Sequence, residues 1–213
     1  MKPIFYVAVD DVIFDFVAAN IPLQDISKKY DLYLLSSGSK TGSVRKLFPK
    51  ATILKSDNDF QLKGVSFFEH IREHKVKGDV IIRLDVDAVV FDVEWLLRIV
   101  EQNFKGVNLG FIGNLVKRSK ERIYIRGACQ AVTRELADKL QLQPTGDSNE
   151  YDYMFNSAAV EAGCTYVPYK LFEVTEAYTA NVPVWHPPKI KVLEKRLEYF
   201  VRHVKKYKKF YRS

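Results

Sequence analysis

Two aspartates separated by one residue, Asp85 and Asp87, are the side chains of this sequence whose type and spacing most directly indicate chemistry. They follow the run Val80–Leu84, which is apolar except for Arg83. If that run is a buried strand of an open α/β sheet, both carboxylates stand at its carboxyl end, where such sheets keep their ligand crevice. Burying two unpaired carboxylates together is costly, so the pair predicts a cation, and oxygen ligands suit Mg²⁺ or Mn²⁺. The alternative is a solvated turn that carries two aspartates.

The segments around the pair predict the fold that positions it. Short apolar runs rich in β-branched and aromatic residues predict strands, and stretches with helical spacing of apolar residues predict helices between them. The predicted strands are Ile4–Val9, Asp31–Leu35, Ala51–Leu54, Asp79–Leu84, Phe111–Val116, Tyr124–Val132 and Thr165–Val167. The predicted helices are Thr41–Leu47, Phe60–His74, Asp92–Gln102, Arg134–Leu140 and Asp152–Ala162. Because strands alternate with helices, we expect an α/β fold with a mainly parallel central sheet and helices on both faces.

Length and composition bound the class of protein. A chain of 213 residues, 47% of them hydrophobic, fits one large domain with a substantial core and is neither disordered nor fibrous. No apolar run approaches the roughly 20 residues that a membrane-spanning helix requires. The N-terminus reaches Asp10 and Asp11 too early for a signal peptide, and Cys129 and Cys164 lack metal-ligand spacing. We therefore expect a protein of a reducing compartment, the cytoplasm.

A basic C-terminal segment holds the excess positive charge of the chain. The formal net charge is +7, and residues 189–213 carry ten Lys or Arg against two Glu, so the remaining residues have a net charge of −1. Basic residues, Arg196 among them, cover much of this segment. Its apolar residues recur at helical spacing: Leu193, Leu197, Phe200, Val201, Val204 and Tyr207. The sequence thus predicts a domain over residues 1–189 and a basic amphipathic helix over residues 190–213.

The role of the basic helix stays open between several interpretations. The simplest is a helix packed on the domain with a solvated basic face. Others are contact with an anionic membrane, an acidic partner, or the start of a linker into a further domain. The protein would even be a non-catalytic binding module if this segment were its functional part. A nucleic-acid partner is not predicted, because the positive charge is confined to one segment instead of spread over the domain.

The order of four segments resembles the GT-A glycosyltransferases. A hydrophobic strand, Asp-x-Asp, apolar residues and a helix match the acidic motif that in this family holds a divalent metal bridging the diphosphate of a sugar nucleotide. Ile125–Leu136 is similar to the acceptor-side strand and glycine turn, and Asn149–Asp152 to an acidic motif near the acceptor. Val184–Lys189 is similar to the late segment from which a histidine often completes the metal site. The whole chain also resembles the N-terminal glycosyltransferase domain of a large multidomain chlorella-virus protein.

This resemblance implies a mixed, Rossmann-like sheet and the metal-dependent transfer of a hexosyl or deoxyhexosyl group. The donor would be a nucleotide sugar, in this family often a UDP-sugar, and the acceptor a glycan or another hydroxyl compound. The cofactor would be Mn²⁺ or Mg²⁺, and a viral chain would act in the host cytoplasm. Asp87 would be the direct metal ligand, Asp85 would bind the metal, the ribose or the sugar, and His186 would be the third protein ligand. Taken alone, a histidine beside Trp185 and two prolines is also compatible with a loop residue fixed by packing.

The resemblance also implies roles at the acceptor and at the donor. Asp152 is the first choice for the general base that accepts the acceptor's proton, and Glu150 is the second. Acids in the first turn of a helix also stabilise its dipole, which is the structural alternative for both. Donor contacts are implied for Val9, Asp10, Asp11, Lys63, Arg83, Asp85 and Lys189. The first three would border the base and ribose, and the basic residues would neutralise phosphate charge, although either lysine is compatible with an ordinary surface position.

Two other enzyme classes compete with this interpretation. Asp85–Val89 also resembles the Asp-x-Asp-x-[Thr/Val] motif of haloacid-dehalogenase-type phosphatases, in which the first aspartate is the nucleophile. That family places this strand near its N-terminus, whereas several predicted strands precede it here. A sugar nucleotidyltransferase is disfavoured because the first predicted strand leads to Asp10 and Asp11, and that family has a glycine-rich, arginine-containing loop there. The sequence leaves an inverting or retaining outcome open.

Overall fold

The acidic pair follows a strand in the middle of a mixed sheet. The computed structural model describes residues 1–55, 60–117, 123–143 and 151–211. Within these ranges the strands are β1 (Pro3–Val9), β2 (Asp31–Ser36), β3 (Thr52–Lys55), β4 (Val80–Leu84), β5 (Val89–Val90), β6 (Gly110–Lys117), β7 (Ile123–Thr133), β8 (Thr165–Pro168), β9 (Phe172–Val174) and β10 (Val184–His186). The helices are α1 (Phe14–Ala19), α2 (Ile21–Lys29), α3 (Thr41–Leu47), α4 (Phe60–Glu73), α5 (Val93–Phe104), α6 (Arg134–Lys139), α7 (Tyr151–Glu161) and α8 (Leu193–Lys206), and a short 3₁₀ helix covers Lys208–Phe210.

The larger sheet of the described residues has the strand order β3-β2-β1-β4-β7-β6-β8. β7 runs antiparallel to β4 and to β6, and the other neighbouring pairs are parallel. β4 lies between β1, where Tyr6 pairs with Arg83, and β7, where Cys129 pairs with Leu84. The predicted mixed, mainly parallel sheet is therefore confirmed, and the Asp-x-Asp segment leaves from its centre.

Both faces of this sheet are buried. Successive side chains of a strand point to opposite faces, and those of β1 do so here. Phe5 and Val7 belong to an apolar cluster that includes buried residues of α1, α2, α5 and α8. Ile4 and Tyr6 belong to a second cluster that includes buried residues of α4, α6 and α7. The helices thus cover both faces, as the alternation of predicted strands and helices indicated.

Helix α5 fixes the far end of the segment that carries the acidic pair. The helix begins where the sequence predicts, because the side chain of Asp92 caps it by accepting a hydrogen bond of 2.7 Å from the backbone N–H of Trp95. Leu96, Ile99 and Val100 on its apolar face are buried in the core. The chain between β4 and α5 is therefore held at both of its ends.

A smaller sheet was not predicted from the sequence. Within the described residues it has the order β5-β10-β9, with β10 antiparallel to β5 and parallel to β9. Its strands have only two or three residues each. Such strands are too short for an alternation of apolar and polar residues to show in the sequence. This sheet brings the C-terminal quarter of the chain beside the end of β4.

Helix α8 packs on the sheet domain through its apolar face. Phe200 is fully buried in the same apolar cluster as Phe16 of α1, and their ring centroids lie 5.4 Å apart. Val204 and Tyr207 are also buried, whereas Lys195, Arg202, Lys205 and Lys206 are exposed. None of the described helices is long and apolar enough to cross a bilayer. That residues 190–213 lead to a further domain stays a prediction.

Candidate active site

The turn after β4 is clamped from two sides. The backbone N–H of Asp85 donates to the carbonyl of Ala128 on β7, and the N–H of Ala88 donates back to the carbonyl of Asp85, at 3.1 and 2.9 Å. From the other side, the side-chain amide of buried Asn20 donates to the carbonyls of Val86 and Ala88, both at 3.0 Å. Nothing in the sequence singled out Asn20, which lies 66 residues before its first partner. The clamp fixes the direction of both aspartate side chains.

Asp85, Asp87 and His186 bring one ligand atom each to within 4.8 Å of one another. The Nε2 atom of His186 lies 3.1 Å from Oδ1 of Asp87 and 3.9 Å from Oδ2 of Asp85. Its Nδ1 atom lies 2.7 Å from the carbonyl oxygen of Pro187, so a proton on Nδ1 directs Nε2 toward the aspartates, where it could bind a metal once it has lost its own proton. The two carboxylates suit Mn²⁺ or Mg²⁺, and Mn²⁺ accepts the additional imidazole more readily than Mg²⁺, which prefers oxygen ligands. The residues present therefore fit the predicted metal.

Arg83 joins Asp85 to Asp152 across the floor of the site. Its guanidinium lies 3.2 Å from Oδ1 of Asp85 and 2.5 Å from Oδ1 of Asp152, and it also donates to the side-chain carbonyl of Gln130. The other oxygen of Asp152 accepts the backbone N–H of Gly127 at 2.9 Å. A Cβ at position 127 would lie 2.1 Å from Oδ1 of Asp152, so only glycine permits this approach. We call Arg83, Asp85, Gly127, Gln130 and Asp152 the sheet-side network.

Arg196 of α8 reaches into the site and forms an ion pair with Oδ2 of Asp87. The sequence placed this arginine on the solvated face of a basic helix, but its side chain is only 26% exposed and points toward the acidic pair. Helical spacing does not tell which edge of a basic face borders a pocket, so the sequence held no signal for this contact. We call Asp87, His186 and Arg196 the C-terminal network.

The two aspartates differ in their electrostatics. Burial raises the pKa of Asp85, and the neighbouring charge of Arg83 opposes this only in part. Burial acts in the same direction on Asp87, but the hydrogen bond and charge of His186 together with the charge of Arg196 outweigh it and lower its pKa. For His186, burial opposes the charged ring, yet the hydrogen bond and charge of Asp87 raise its pKa. Asp87 and His186 therefore stabilise each other as an ion pair.

The acidic pair faces a pocket of about 390 Å³ at the carboxyl ends of β1 and β4. Its lining includes Tyr6, Arg83, Asp85, Asp87, Asp152 and Arg196. The structure thus brings the predicted metal ligands Asp85 and Asp87 and the first-choice base Asp152 to one cavity. The third predicted ligand, His186, does not line the cavity but contacts Asp87 at 3.1 Å. The second choice, Glu150, lies outside the described residues.

The predicted donor residues near β1 have other partners in the fold. Asp10 accepts the backbone N–H groups of Val12 and Ile13, at 2.9 and 3.0 Å. Asp11 accepts the backbone N–H groups of Lys40 and Ser39 and the Ser39 hydroxyl, and these hydrogen bonds lower its pKa. Both carboxylates thus shape the loops that border the pocket. Their predicted contacts with base and ribose stay predictions.

The remaining predicted donor residues lie in different surroundings. The side chain of Val9 is buried in the apolar core, and only its neighbour Ala8 lines the pocket. Lys63 is fully buried, and its ammonium lies 3.9 Å from Oδ2 of Asp10. Lys189 is exposed and is not part of the pocket lining. Of the basic residues predicted to neutralise phosphate, the structure places Arg83 in the pocket.

Comparison with solved structures assigns the fold. The chain is similar to the galactosyltransferase LgtC, solved in complex with donor and acceptor sugar analogs, with 9% identity over 97% of this chain and 99% of that chain and a TM-score of 0.54. It is similar to the glycosyltransferase GlyE from Streptococcus pneumoniae, with 11% identity over 100% of this chain and 65% of that chain and a TM-score of 0.52. It is also similar to 4-diphosphocytidyl-2C-methyl-D-erythritol synthase, with 13% identity over 79% of this chain and 88% of that chain and a TM-score of 0.55.

Comparison by sequence finds no match to a protein-family model or to a curated protein. At these identities, the structural similarity shows the fold and not the activity. The fold is the mixed α/β, Rossmann-like fold of the GT-A glycosyltransferases. The match to GlyE covers the whole chain, α8 included, whereas the match to the synthase covers 79% of it.

Proposed function

We propose that this chain is a metal-dependent glycosyltransferase that moves a sugar from a nucleoside-diphosphate donor to a hydroxyl acceptor. The observation that carries this proposal is the convergence of Asp85, Asp87 and His186 at the carboxyl end of β4, with Asp152 in the same pocket. A ligand crevice at the carboxyl ends of the strands is the expected place for a nucleotide in an open α/β sheet. The fold supports the proposal, and the side chains of this pocket supply the candidate metal ligands and the candidate base.

The donor side of the mechanism concerns charge. When the bond between the anomeric carbon and the phosphate breaks, negative charge develops on the nucleoside diphosphate and positive charge on the sugar. A divalent cation held by Asp87, His186 and Asp85 would supply electrostatic stabilisation of the leaving diphosphate. Arg83, whose guanidinium lies 3.2 Å from Oδ1 of Asp85, would orient Asp85 toward the donor. Because backbone hydrogen bonds and the side chain of Asn20 hold the turn, little reorganisation is needed when the charge develops.

The acceptor side of the mechanism concerns a proton. We propose that Asp152 takes the proton of the acceptor hydroxyl if the reaction inverts configuration. Arg83 and the N–H of Gly127 each occupy one position on the Asp152 carboxylate. An ionised carboxylate has about four acceptor positions, so the substrate hydroxyl still has room to bind. Helix α7 is held in place because Asn156 bonds both the carbonyl of Asp152 and the backbone of Ile125.

We further propose Mn²⁺ or Mg²⁺ as the cofactor, a UDP-sugar as the donor, a hexosyl or deoxyhexosyl group as the transferred sugar and a glycan as the acceptor. The family resemblance of the four sequence segments supports these finer points, as it supports a viral origin and a cytoplasmic location. A partner of the exposed basic face of α8, whether an anionic membrane or a following domain, is likewise a proposal. We propose no nucleic-acid partner.

A phosphatase with Asp85 as its nucleophile fits the site less well. Burial raises the pKa of Asp85, which disfavours the charged carboxylate that a nucleophilic aspartate needs. Its Oδ1 is also paired with Arg83. A nucleotidyltransferase shares the fold, but the loop after β1 begins with Asp10 and Asp11, whose carboxylates bond backbone N–H groups, and contains no arginine up to α1. These features favour a glycosyltransferase over both.

Three reaction products separate the candidates, and phosphorus NMR detects all of them. With Mn²⁺, a panel of UDP-, GDP- and CMP-sugars and a panel of glycan acceptors, a glycosyltransferase moves the sugar to an acceptor hydroxyl, or more slowly to water, and releases the nucleotide moiety of its donor. A nucleotidyltransferase given a nucleoside triphosphate and a sugar phosphate releases pyrophosphate, and a phosphatase given the sugar phosphate releases inorganic phosphate. We expect nucleoside diphosphate only. Release of pyrophosphate or inorganic phosphate would overturn the proposal, and so would the absence of every product with donors that bind.

The variant Asp152→Asn tests the proposed base. It should bind donor with unchanged affinity and lose about 10²- to 10⁴-fold in turnover, the usual contribution of general base catalysis. Asp25→Asn is a matched control, because Asp25 pairs with Lys28 on the outside of α2. It should leave both quantities unchanged. Undiminished turnover in Asp152→Asn would reassign the base.

A further inference from the structure

Arg196 and the metal site share one carboxylate. Oδ1 of Asp87 lies 3.1 Å from Nε2 of His186, and Oδ2 of Asp87 is paired with the guanidinium of Arg196. Both oxygens of this buried carboxylate are therefore already engaged by the protein. A divalent cation bound by Asp87 would take one of these oxygens as its ligand. The guanidinium would then face a doubly charged cation across a single carboxylate.

The surroundings of Arg196 would allow its guanidinium to bind an anion in the pocket instead of Asp87. The guanidinium carbon Cζ lies 6.0 Å from the centroid of the Phe16 ring, and both residues line the pocket, so the group that pairs with Asp87 already lies at the cavity. Its Nε atom is buried and has no hydrogen-bond partner within the described part of the chain. A guanidinium has five N–H donors, and its planar fork matches phosphate as well as carboxylate. The contact with Asp87 thus leaves part of its bonding capacity unused.

We propose that Arg196 is an internal counter-ion that the divalent metal displaces from Asp87, and that the released guanidinium then binds the diphosphate of the donor. Without metal, Arg196 compensates the buried charge of Asp87. With metal, repulsion between the two cations drives the guanidinium into the pocket, where an incoming diphosphate supplies the acceptors that Asp87 no longer offers. The second half of this inference rests on the proposed function. The first half concerns only this chain and a metal ion.

Calorimetry with Mn²⁺ alone tests the first half. Because removal of the competing cation frees Asp87, Arg196→Gln should bind Mn²⁺ about tenfold more tightly than the wild-type chain, a typical coupling between two linked sites. Arg202→Gln removes the same charge from an exposed position of the same helix and should change nothing. Arg196→Lys keeps the positive charge on a side chain of different length, so its affinity for Mn²⁺ should lie between those of the wild-type chain and Arg196→Gln. If Arg196→Gln does not fold, Arg196→Lys replaces it in this test.

Calorimetry with UDP at saturating Mn²⁺ tests the second half. Here the order reverses, and Arg196→Gln should bind UDP about tenfold more weakly than wild type and Arg202→Gln, as expected for the loss of a phosphate contact. Equal or weaker binding of Mn²⁺ by Arg196→Gln would overturn the counter-ion role and leave the metal site standing. Failure of every variant to bind Mn²⁺ would overturn the inference together with the proposed metal site. Tighter Mn²⁺ binding with unchanged UDP binding would overturn the diphosphate role.

Discussion

The two aspartates of one tripeptide belong to two different regions of the molecule. Asp85 is held by the sheet-side network, whose other members lie on β4, β7 and α7. Asp87 is held by the C-terminal network, whose other members, His186 and Arg196, follow it by about a hundred residues in the sequence. One side chain is built into the scaffold, whereas the other depends on a segment that packs against it. The comparison indicates that β10 and α8 are part of the site.

The two aspartates also differ in how their surroundings shift their pKa values. Burial raises the pKa of Asp85, whereas the partners of Asp87 lower its pKa despite burial. Asp87 is therefore the stronger candidate for direct metal ligation, and Asp85 has the weaker preference for its charged form. This difference arises only in the folded chain, because the partners of Asp87 reach it through the smaller sheet and α8.

The largest expected effect concerns the sheet-side network. Arg83→Met leaves Asp85 and Asp152 facing each other without their shared cation. Breaking a buried pair costs about 3 to 5 kcal/mol, and because both carboxylates are 32% exposed we expect the lower end, about 3 kcal/mol, in urea unfolding. Arg126→Met on the neighbouring β7 is the control, because Arg126 is exposed. Equal stability of the two variants would contradict a structural role for the network.

Metal affinity should separate the two aspartates directly. Asp87→Asn should weaken Mn²⁺ binding about 100-fold, and Asp85→Asn about tenfold, the range found when ligands and their supporting partners are removed. The physical reason is that Asp87 is ionised and faces Nε2 of His186 at 3.1 Å, whereas Nε2 lies 3.9 Å from Asp85. Electron paramagnetic resonance of free Mn²⁺ measures both constants. The comparison fails if Asp85→Asn has the larger effect.

The next largest effect is expected from loss of the hydrogen bonds that Asn20 donates to the turn. Asn20→Ala removes the donor for two carbonyls of the acidic turn. Leaving buried carbonyls without a partner costs about 1 to 3 kcal/mol, and we expect about 2 kcal/mol in the free energy of unfolding together with weaker Mn²⁺ binding. Asn103→Ala is the control, because its amide only donates to a carbonyl within α5, and a change below about 0.5 kcal/mol is expected there. A stability loss without any change in metal affinity would show that the clamp does not position the aspartates.

The smallest expected effect is the pH dependence of metal binding. Asp87 and its partners raise the pKa of His186, and a protonated imidazole does not bind a metal. Mn²⁺ binding must therefore release this proton, so affinity rises with pH up to the raised pKa of His186, which lies above the ordinary value of about 6.5, by at most about tenfold per pH unit. Asp87, whose pKa is lowered, stays ionised near the pKa of His186. The slope should disappear in His186→Asn, and a flat profile for the wild-type chain would exclude His186 as a ligand.

The sequence predicted the sheet-side region well because its signals are local. The apolar strand before Asp85, the N-cap Asp92 and the pairing of strands with helices all depend on neighbouring residues, and the structure has them. The two- and three-residue strands of the smaller sheet lack such a pattern, and so do the short helices α1 and α2 around Asn20. The sequence predicts donor contacts for Asp10 and Asp11 but not the hydrogen bonds that their carboxylates accept from backbone N–H groups of adjacent loops.

The central claim, a metal-dependent site for a nucleoside diphosphate built on Asp87, is tested most directly by calorimetry of UDP with the wild-type chain and Asp87→Asn, each in Mn²⁺ and in chelator. The account predicts binding to the wild-type chain in Mn²⁺, none in chelator, and about 100-fold weaker binding to Asp87→Asn in Mn²⁺. Equal binding of UDP by the wild-type chain in Mn²⁺ and in chelator would contradict it.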